Sequence, residues 1–175
     1  MRIGIGYDIH KFIDSNKLDF KLAGISIPFN KKCVAHSDGD VAIHALIDAL
    51  LGATALGDIG THFPDTNPKY KNADSTKLLQ ECLALLESKN QGNNNYVIEN
   101  VDINIITEQP KLAPYLNLMR ERLSEILQIN KEKISVKAKT NEQLDAIGRG
   151  EAIAAQAIVL IKNFRFSGKN ILNVF

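Results

Sequence analysis

Residues 1–10 of this chain read MRIGIGYDIH, and this stretch sets the first element of the fold. Glycine alternates with bulkier residues over 2–7, which predicts a short β-strand that runs into a turn at 8–10. Residues two apart in an extended chain point to the same side, so Asp8 and His10 can reach one ligand together. The fold is therefore predicted to begin with a strand that carries a carboxylate and an imidazole at its end.

Helical and extended patterns alternate outward from this strand. Ser37 is predicted to cap a helix that runs to about residue 51 and stops at Gly52. The apolar spacing over 75–88 predicts a second, amphipathic helix. The other predicted elements are an extended stretch at 21–28, strands at 96–107 and 133–139, a helix at 115–127, and loops at 57–68, 90–95 and 142–150.

The segment 152–161 fits two structures. Its alanines favour a helix, whereas its closing Ile-Val-Leu-Ile favours a buried strand. We expect the strand, because it completes a sheet. The predicted fold class is α+β: one two-layer domain over 1–163, with a mixed β-sheet and helices packed on one sheet face. Residues 164–175 are predicted to form a C-terminal extension, for which the sequence indicates no role.

The bulk composition excludes several partners. The chain has 175 residues and a net charge of +1, so we expect neither nucleic acid nor a membrane as a partner. No apolar signal segment is visible at the N-terminus. Cys33 and Cys82 lack metal-binding spacing and are predicted to be free thiols in a reducing compartment, the cytoplasm.

The histidines indicate a metal site. His44 lies in the first predicted helix and, with Asp8 and His10, can supply three ligands while one position stays open, which is the catalytic pattern. Two imidazoles and one carboxylate suit zinc. Asp40 and Asp48 lie one helical turn before and after His44, so either can accept its second ring N–H. The same residues also fit an ordinary turn and an ordinary helix position.

Three further segments carry polar groups in patterns that suit a phosphorylated ligand. The loop 57–65 offers glycines and aspartates to a polyol, and the proline-stiffened loop 107–114 offers backbone groups to a base edge. After the strand at 133–139, Thr140 can bond a phosphoryl oxygen, Glu142 can hold Mg²⁺ and Arg149 can pair with a phosphate. Ordinary solvated loops and a charged strand end explain these segments as well. Neither a P-loop nor a Rossmann glycine motif is present.

Together, these residues resemble the 2-C-methyl-D-erythritol 2,4-cyclodiphosphate synthase family. The matching segments run in order over about residues 1–162. They are Gly-Tyr-Asp-Ile-His at 6–10, His-Ser-Asp-Gly-Asp-Val at 36–41, Gly-Asp-Ile-Gly at 57–60, Phe-Pro-Asp at 63–65, Asp-Ser at 74–75, Pro-Lys at 110–111, Val-Lys-Ala at 136–138 and Gly-Arg at 148–149.

The resemblance implies an activity and an assembly. The family is a CMP-releasing phosphorus–oxygen lyase of the non-mevalonate isoprenoid pathway. The 2-phosphate of 4-diphosphocytidyl-2-C-methyl-D-erythritol 2-phosphate attacks the β-phosphorus, which closes 2-C-methyl-D-erythritol 2,4-cyclodiphosphate. The family is a homotrimer with its sheets facing the three-fold axis and with sites between subunits. Its cofactors are one Zn²⁺ per subunit and Mg²⁺ or Mn²⁺ on the substrate diphosphate.

The resemblance also implies residue roles. Asp8, His10 and His44 match the zinc ligands, and Glu142 matches the ligand of the second ion. His36 and Thr140 match the catalytic positions that stabilise the transition state. The matching substrate-binding residues are Asp8, Ile9, His10, His36, Ser37, Asp58, Ile59, Gly60, Phe63, Pro64, Asp65, Thr66 and Asn67 for the methylerythritol phosphate, and Thr107, Glu108, Gln109, Pro110, Lys111, Leu112, Ala113, Lys139, Thr140, Asn141, Glu142 and Arg149 for the cytidine and its phosphates.

Two other functions fit the same residues. A zinc-dependent phosphohydrolase would use metal-bound water as its nucleophile and give a ring-opened product. A non-catalytic module would bind a cytidine nucleotide without turnover. The synthase hypothesis accounts for all of the matched segments.

Overall fold

The computed structural model describes residues 1–89 and 95–164, without the side chains of Asn95 and Phe164. The predicted connection at 90–95 and the predicted extension at 164–175 therefore lie largely outside the described residues. The strands are β1 (Arg2–Asp14), β2 (Phe20–Leu22), β3 (Ile25–Ile27), β4 (Lys31–Cys33), β5 (Asn95–Ile106), β6 (Ile134–Lys139) and β7 (Ala152–Phe164). The α-helices are α1 (Val41–Thr54), α2 (Ile59–His62), α3 (Ser75–Ser88), α4 (Leu116–Leu127) and α5 (Asp145–Gly148).

One five-stranded sheet organises the molecule, in the order β4-β1-β7-β5-β6. Only the β5–β6 pair is parallel, so the sheet is mixed, as predicted. The ambiguous segment at its centre is the strand β7, which confirms the expectation. The predicted extended stretch at 21–28 forms the separate hairpin β2–β3. None of the helices among the described residues is both long and apolar enough to cross a membrane.

Helix α1 lies directly against β1 because two glycines allow it. A Cβ atom added at Gly4 would lie 1.8 Å from the Ala49 carbonyl oxygen, and one added at Gly6 would lie 1.9 Å from the Ala45 carbonyl oxygen. No side chain fits between the strand and the helix at these positions. The alternation of glycine in residues 2–7 therefore sets how closely the first helix approaches the sheet.

The boundaries of α1 differ from the prediction. Asp40, not Ser37, caps the helix: its side chain accepts a hydrogen bond from the Ile43 N–H. Gly52 does not stop the helix, which continues to Thr54 and ends at Ala55 in the left-handed conformation. Because 12 of its 14 residues are buried, tertiary packing carries the helix past a residue of low helix propensity.

Several shorter elements also correct the sequence interpretation. Asp8–His10 is not a turn, since β1 continues through it to Asp14. The predicted loop at 57–68 contains α2, and the predicted loop at 142–150 contains α5. The edge strand β4, only three residues long, had no recognisable pattern in the sequence.

The sheet face opposite α1 carries a row of apolar side chains. Ile3, Ile5 and Tyr7 alternate along β1 with exposures of 72%, 68% and 51%. Ile158 of β7 pairs with Ile5 and is 45% exposed. A contiguous apolar patch on an exposed sheet face is typical of an interaction surface. The helices cover the other face, as the predicted two-layer arrangement requires.

We expect Gly6→Ala to destabilise the protein by about 2 kcal/mol or more, because the new methyl group collides with the α1 backbone. Gly52→Ala is the matched control in the same interface: its nearest non-helical atom is the Ile5 carbonyl oxygen at 3.9 Å. That variant should be neutral or stabilise by about 0.5–1 kcal/mol. Urea unfolding measures both. Equal stability of Gly6→Ala and the parent would contradict the close packing.

Candidate active site

Three ligand atoms from β1 and α1 form a compact triangle. The Oδ2 atom of Asp8 lies 3.0 Å from Nε2 of His10 and 2.9 Å from Nδ1 of His44. The two ring nitrogens are 3.1 Å apart. Ligand atoms about 2.0–2.2 Å from a tetrahedral ion lie about 3.3–3.5 Å apart, so a small expansion of this triangle holds one zinc-sized cation. Both the donor set and the spacing fit a metal.

The charges within the triangle favour a cation. Burial disfavours the ionised Asp8 carboxylate, but hydrogen bonds to His10 and His44 outweigh it and hold the pKa of Asp8 below its usual range. Burial also lowers the pKa of His44, yet the Asp8 carboxylate more than reverses this, so the net shift is upward. A metal ion must displace a proton from this imidazole, so its affinity falls as the pH falls through the raised His44 pKa.

The second nitrogen of His44 faces two hydroxyl groups. Its Nε2 atom lies 2.9 Å from Ser75 Oγ and 3.0 Å from Ser37 Oγ. Ser75 is fully buried at the start of α3, and its hydroxyl and backbone N–H both donate to the Asp38 carboxylate. In this carboxylate–serine–histidine chain, the Nε2–H of His44 points to the Ser75 hydroxyl, away from the triangle. The lone pair on Nδ1 is therefore left for a metal.

This arrangement corrects the expectation that Asp40 or Asp48 would accept the His44 ring N–H. Asp40 is 1% exposed and accepts the backbone N–H groups of Ala23 and Gly24 as well as capping α1. Burial raises the pKa of Asp40. The Asp48 carboxylate accepts the Ile59 N–H at 2.7 Å and so attaches α2 to α1. The sequence places both aspartates near His44 on the helix but does not show these competing backbone donors.

A cavity of about 410 Å³ opens beside the triangle. Most of the residues predicted for the methylerythritol pocket line it. The lining residues are Asp8, His10, Ala35, His36, Ser37, His44, Asp48, Ile59, Gly60, Phe63, Pro64, Asp65, Tyr70 and Leu78. Tyr70 and Leu78 were not predicted to line the cavity, since neither lies in a polar or glycine-rich motif.

One cavity-lining side chain has an unused polar atom. Within residues 1–89 and 95–164, the buried Nε2 of His36 has no hydrogen-bond partner. Leaving a buried polar atom unpaired is costly, so the His36 ring, which borders the cavity, would gain a hydrogen bond if it turned this nitrogen toward a ligand. The carbonyl oxygen of the same residue accepts the Asn72 N–H, which fixes its backbone.

Other predicted residues do not line this cavity. Ile9 lies on the opposite sheet face, 45% exposed, because neighbouring strand residues alternate in direction. Asp58 caps α2 through the Thr61 N–H, and Asn67 accepts the Lys69 N–H in the following turn. These two side chains shape the loop that borders the cavity. Thr66 is an exposed residue of the same loop.

A smaller cavity of about 160 Å³ lies where β5 and β6 end. It gathers most of the residues predicted to bind cytidine. Those in its lining are Thr107, Pro110, Lys111, Leu112, Ala113, Lys139 and Thr140, and the lining also includes Ala138, which was not predicted. The parallel pairing of the two strands brings these loops together, as the carboxyl ends of parallel strands meet at one sheet edge.

The other residues predicted for this end of the substrate are not in the lining of the smaller cavity. Arg149 forms a two-point ion pair with Glu151, at 3.0 and 3.1 Å, rather than presenting an unpaired guanidinium. The hydroxyl group of Thr140 donates to Glu142 at 2.5 Å. The Gln109 side chain is exposed, while its carbonyl oxygen accepts the hydroxyl of Thr107.

Comparison with known proteins places this geometry in a family. The model of the YgbB family matches residues 1–162. The 2-C-methyl-D-erythritol 2,4-cyclodiphosphate synthase of Brachyspira hyodysenteriae is 52% identical over 162 residues, which are 93% of this chain and 98% of that protein. The synthase of the same name from Clostridium perfringens is 50% identical over 161 residues, 92% of this chain and 99% of that protein.

Solved structures of related proteins have the same fold as this chain. The bifunctional IspDF of Campylobacter jejuni superimposes with a TM-score of 0.84 at 38% identity, covering 94% of this chain and 42% of that larger chain. IspF of Plasmodium falciparum, in a CDP complex, gives 0.76 at 38% identity, covering 91% of this chain and 94% of that one. The chain therefore belongs to the YgbB family, whose curated relatives are 2-C-methyl-D-erythritol 2,4-cyclodiphosphate synthases.

Proposed function

We propose that this chain converts 4-diphosphocytidyl-2-C-methyl-D-erythritol 2-phosphate into 2-C-methyl-D-erythritol 2,4-cyclodiphosphate and CMP. An oxygen of the 2-phosphate forms a bond to the β-phosphorus. The bond from that phosphorus to the bridging oxygen breaks, and its electron pair leaves with CMP. The activity class follows from relatives about 50% identical over nearly their whole length. The Asp8–His10–His44 triangle beside a cavity is the observation that supports the proposed location of the active site.

The triangle is the proposed zinc site, and Glu142 is the proposed ligand of Mg²⁺ or Mn²⁺ on the substrate diphosphate. Bound cations supply charge neutralisation and polarise the phosphoryl group. Zinc suits two imidazoles and a carboxylate, whereas Mg²⁺ prefers few carboxylates together with phosphate oxygens. The exposed Glu142 is suited to the second arrangement because its other coordination partners would come from the substrate.

The protein's own groups bind and orient a nucleophile that is already an anion, so no strong general base is needed. The His36 side chain, whose ring Nε2 is unpaired, is the proposed hydrogen-bonding group for a phosphate oxygen, and Ser37 lines the same cavity. Thr140 is the corresponding hydroxyl group at the smaller cavity, and its O–H, which donates to Glu142 in this structure, would turn to a phosphate oxygen when Glu142 binds the second cation. Fixing an intramolecular attack in line is worth up to about 7–11 kcal/mol in favourable systems, and directed donors stabilise the developing charge.

The two cavities are assigned to the two ends of the substrate. The larger, with its aspartate and glycine loop, is proposed to hold the methylerythritol phosphate. The smaller, between the loops after β5 and β6, is proposed to hold cytidine. The CDP complex of the Plasmodium falciparum relative supports a nucleotide site in this fold.

A homotrimer, with its sheets facing the three-fold axis and its sites between subunits, is proposed as the active assembly. The exposed apolar row on β1 and β7 supports it, because burial against neighbouring copies would remove Ile3, Ile5 and Ile158 from water. Each copy would then contribute part of a neighbour's site.

The cytoplasm is the proposed compartment. Cys33 and Cys82 are free thiols, in keeping with a reducing environment. Burial raises the pKa of each thiol to about 12, so neither is a reactive thiolate at neutral pH.

Incubation of the purified protein with the diphosphocytidyl substrate, zinc and magnesium tests the proposed function. Mass spectrometry and phosphorus NMR should identify CMP and a cyclic diphosphate in equal amounts. A ring-opened phosphate would instead identify a hydrolase. Binding of CMP without turnover would identify a nucleotide-binding module. Either of those results would overturn the synthase assignment.

We expect His44→Ala to lose bound zinc and at least about 10³-fold in turnover, because one of three metal ligands is removed. His62→Ala is the matched control: its ring Nε2 hydrogen-bonds the Leu56 carbonyl oxygen outside the triangle. Elemental analysis and the CMP assay measure the two properties. Retention of one zinc per chain in His44→Ala would contradict the proposed site.

Ser75→Ala should weaken zinc binding about 10- to 100-fold, since the His44 ring loses the hydroxyl that orients it. Competition with a chromogenic chelator measures the affinity independently of activity. Ser88→Ala, at the opposite end of α3, is the control and should leave the affinity unchanged. Equal zinc affinity of the two variants would show that Ser75 does not orient the metal ligand.

Ile5→Asp should convert the assembly to monomers, because three copies of the charge would be buried at the proposed interface. Light scattering after gel filtration measures the mass, and CMP release should fall with it. Ser26→Asp, at the hairpin β2–β3, is a control outside that sheet face. A parent protein that is itself monomeric and active would contradict the trimer proposal.

A further inference from the structure

We propose that Glu108 is a positioning residue that fixes the backbone around Glu142, rather than a residue that contacts the nucleotide. The inference rests on the proposed function, in which Glu142 meets the substrate diphosphate. It gives Glu108 a role different from the one that family resemblance implied.

One carboxylate oxygen of Glu108 spans the residue that precedes Glu142 and the one that follows it. Oε1 accepts the backbone N–H of Asn141 at 2.9 Å and that of Gln143 at 3.2 Å. The parallel strands β5 and β6 end side by side, and a further bond joins the Thr107 N–H to the Lys139 carbonyl oxygen at 2.9 Å. The paired ends of β5 and β6 therefore hold Glu108 next to the segment that it binds.

The segment that Glu108 binds has a strained backbone conformation. Glu142, Gln143 and Asp145 have φ angles of +51°, +63° and +54°, and none of them is glycine. L-residues with side chains rarely adopt this left-handed region, so the surrounding structure must hold them there. Hydrogen bonds from two backbone amides to a carboxylate are charge-assisted, and they are among the stronger restraints that a protein can supply.

A second contact limits where the segment can move. A Cβ atom added at Gly148 would lie 2.2 Å from the carbonyl carbon of Gln143, so the backbone of α5 packs directly against it. The side-chain amide of Asn141 donates to the Leu144 carbonyl oxygen and to Asp145, at 3.1 and 2.9 Å. Glu108 thus holds one side of a segment that α5 supports from the other.

This strained conformation determines where two functional groups lie. With the backbone held, the Thr140 hydroxyl and the Glu142 carboxylate meet at 2.5 Å beside the smaller cavity. Glycine at the left-handed positions would relieve the strain, but it would remove the Glu142 carboxylate. Strained backbone commonly accompanies groups that must be preorganised, and the Glu108 carboxylate is what opposes relaxation here.

Two substitutions separate positioning from direct contact. Glu108→Gln keeps an oxygen acceptor in place, whereas Glu108→Met keeps the length of the side chain and removes the acceptor. Glu125→Ala, which disrupts a surface ion pair with Arg122 on α4, is the control. Glu108→Ala is a further variant, to be used if Glu108→Met does not fold, as judged by circular dichroism.

We expect Glu108→Met to lower kcat/KM by about 10- to 100-fold, mainly through kcat, because Thr140 and Glu142 are displaced. Glu108→Gln should stay within about threefold of the parent. Hydrogen–deuterium exchange should become faster at the amides of Asn141 and Gln143 in Glu108→Met alone. Zinc content should be the same in all variants, since the Asp8–His10–His44 triangle is not altered.

Two results would overturn the inference. If Glu108→Gln loses as much kcat/KM as Glu108→Met while its Asn141 and Gln143 amides stay protected, the charge contacts substrate and the role is binding. If Glu108→Met retains both amide protection and kcat/KM, the segment holds its conformation without Glu108. The exchange measurement needs no substrate, so it tests the role of Glu108 even if the parent protein proves not to be a synthase.

Discussion

Direct backbone contact between the glycine-bearing strand β1 and helix α1 determines the geometry of both the sheet–helix packing and the candidate site. Gly4 and Gly6 allow the helix backbone to approach the strand closely, with no side chain between them. That approach places His44, in the first turns of the helix, beside Asp8 and His10 near the middle of the strand. The fold and the candidate metal site are therefore two consequences of one packing arrangement.

Hydrogen bonds then fix how the site residues face one another. The Asp38–Ser75–His44 chain joins the loop before α1 to the start of α3 and sets which histidine nitrogen is available to a cation. At the same end of the sheet but on the other side of β7, Glu108 holds the backbone on both sides of Glu142. In both places a buried or half-buried carboxylate acts on a functional residue through an intermediate group. The chemistry proposed for the chain requires such positioning more than it requires a strong base, because the nucleophile is already charged.

Much of this was predictable from the sequence, and the failures have physical causes. Period-two alternation located β1 and β5, and period-3.6 spacing located α3, because each of these elements buries one face. The grouping of Asp8, His10 and His44 followed from residue types and spacing.

The path of α1 through Gly52 was not predictable from the sequence, because burial on several sides overrides helix propensity. Ser75 was missed as a partner of His44 because it is 31 residues away along the chain. The roles of Asp40 and Glu108 were missed because both bind backbone amides, which no side-chain pattern reveals.

We propose that β1 and α1 together hold one zinc ion that leaves a position open toward the larger cavity. Anomalous X-ray diffraction from crystals of the zinc-loaded protein, collected on both sides of the zinc absorption edge, tests it most directly. The account predicts one peak per chain, about 2.0–2.2 Å from Asp8 Oδ2, His10 Nε2 and His44 Nδ1. An anomalous map without density among these three atoms, or with zinc bound only elsewhere on the chain, would contradict it.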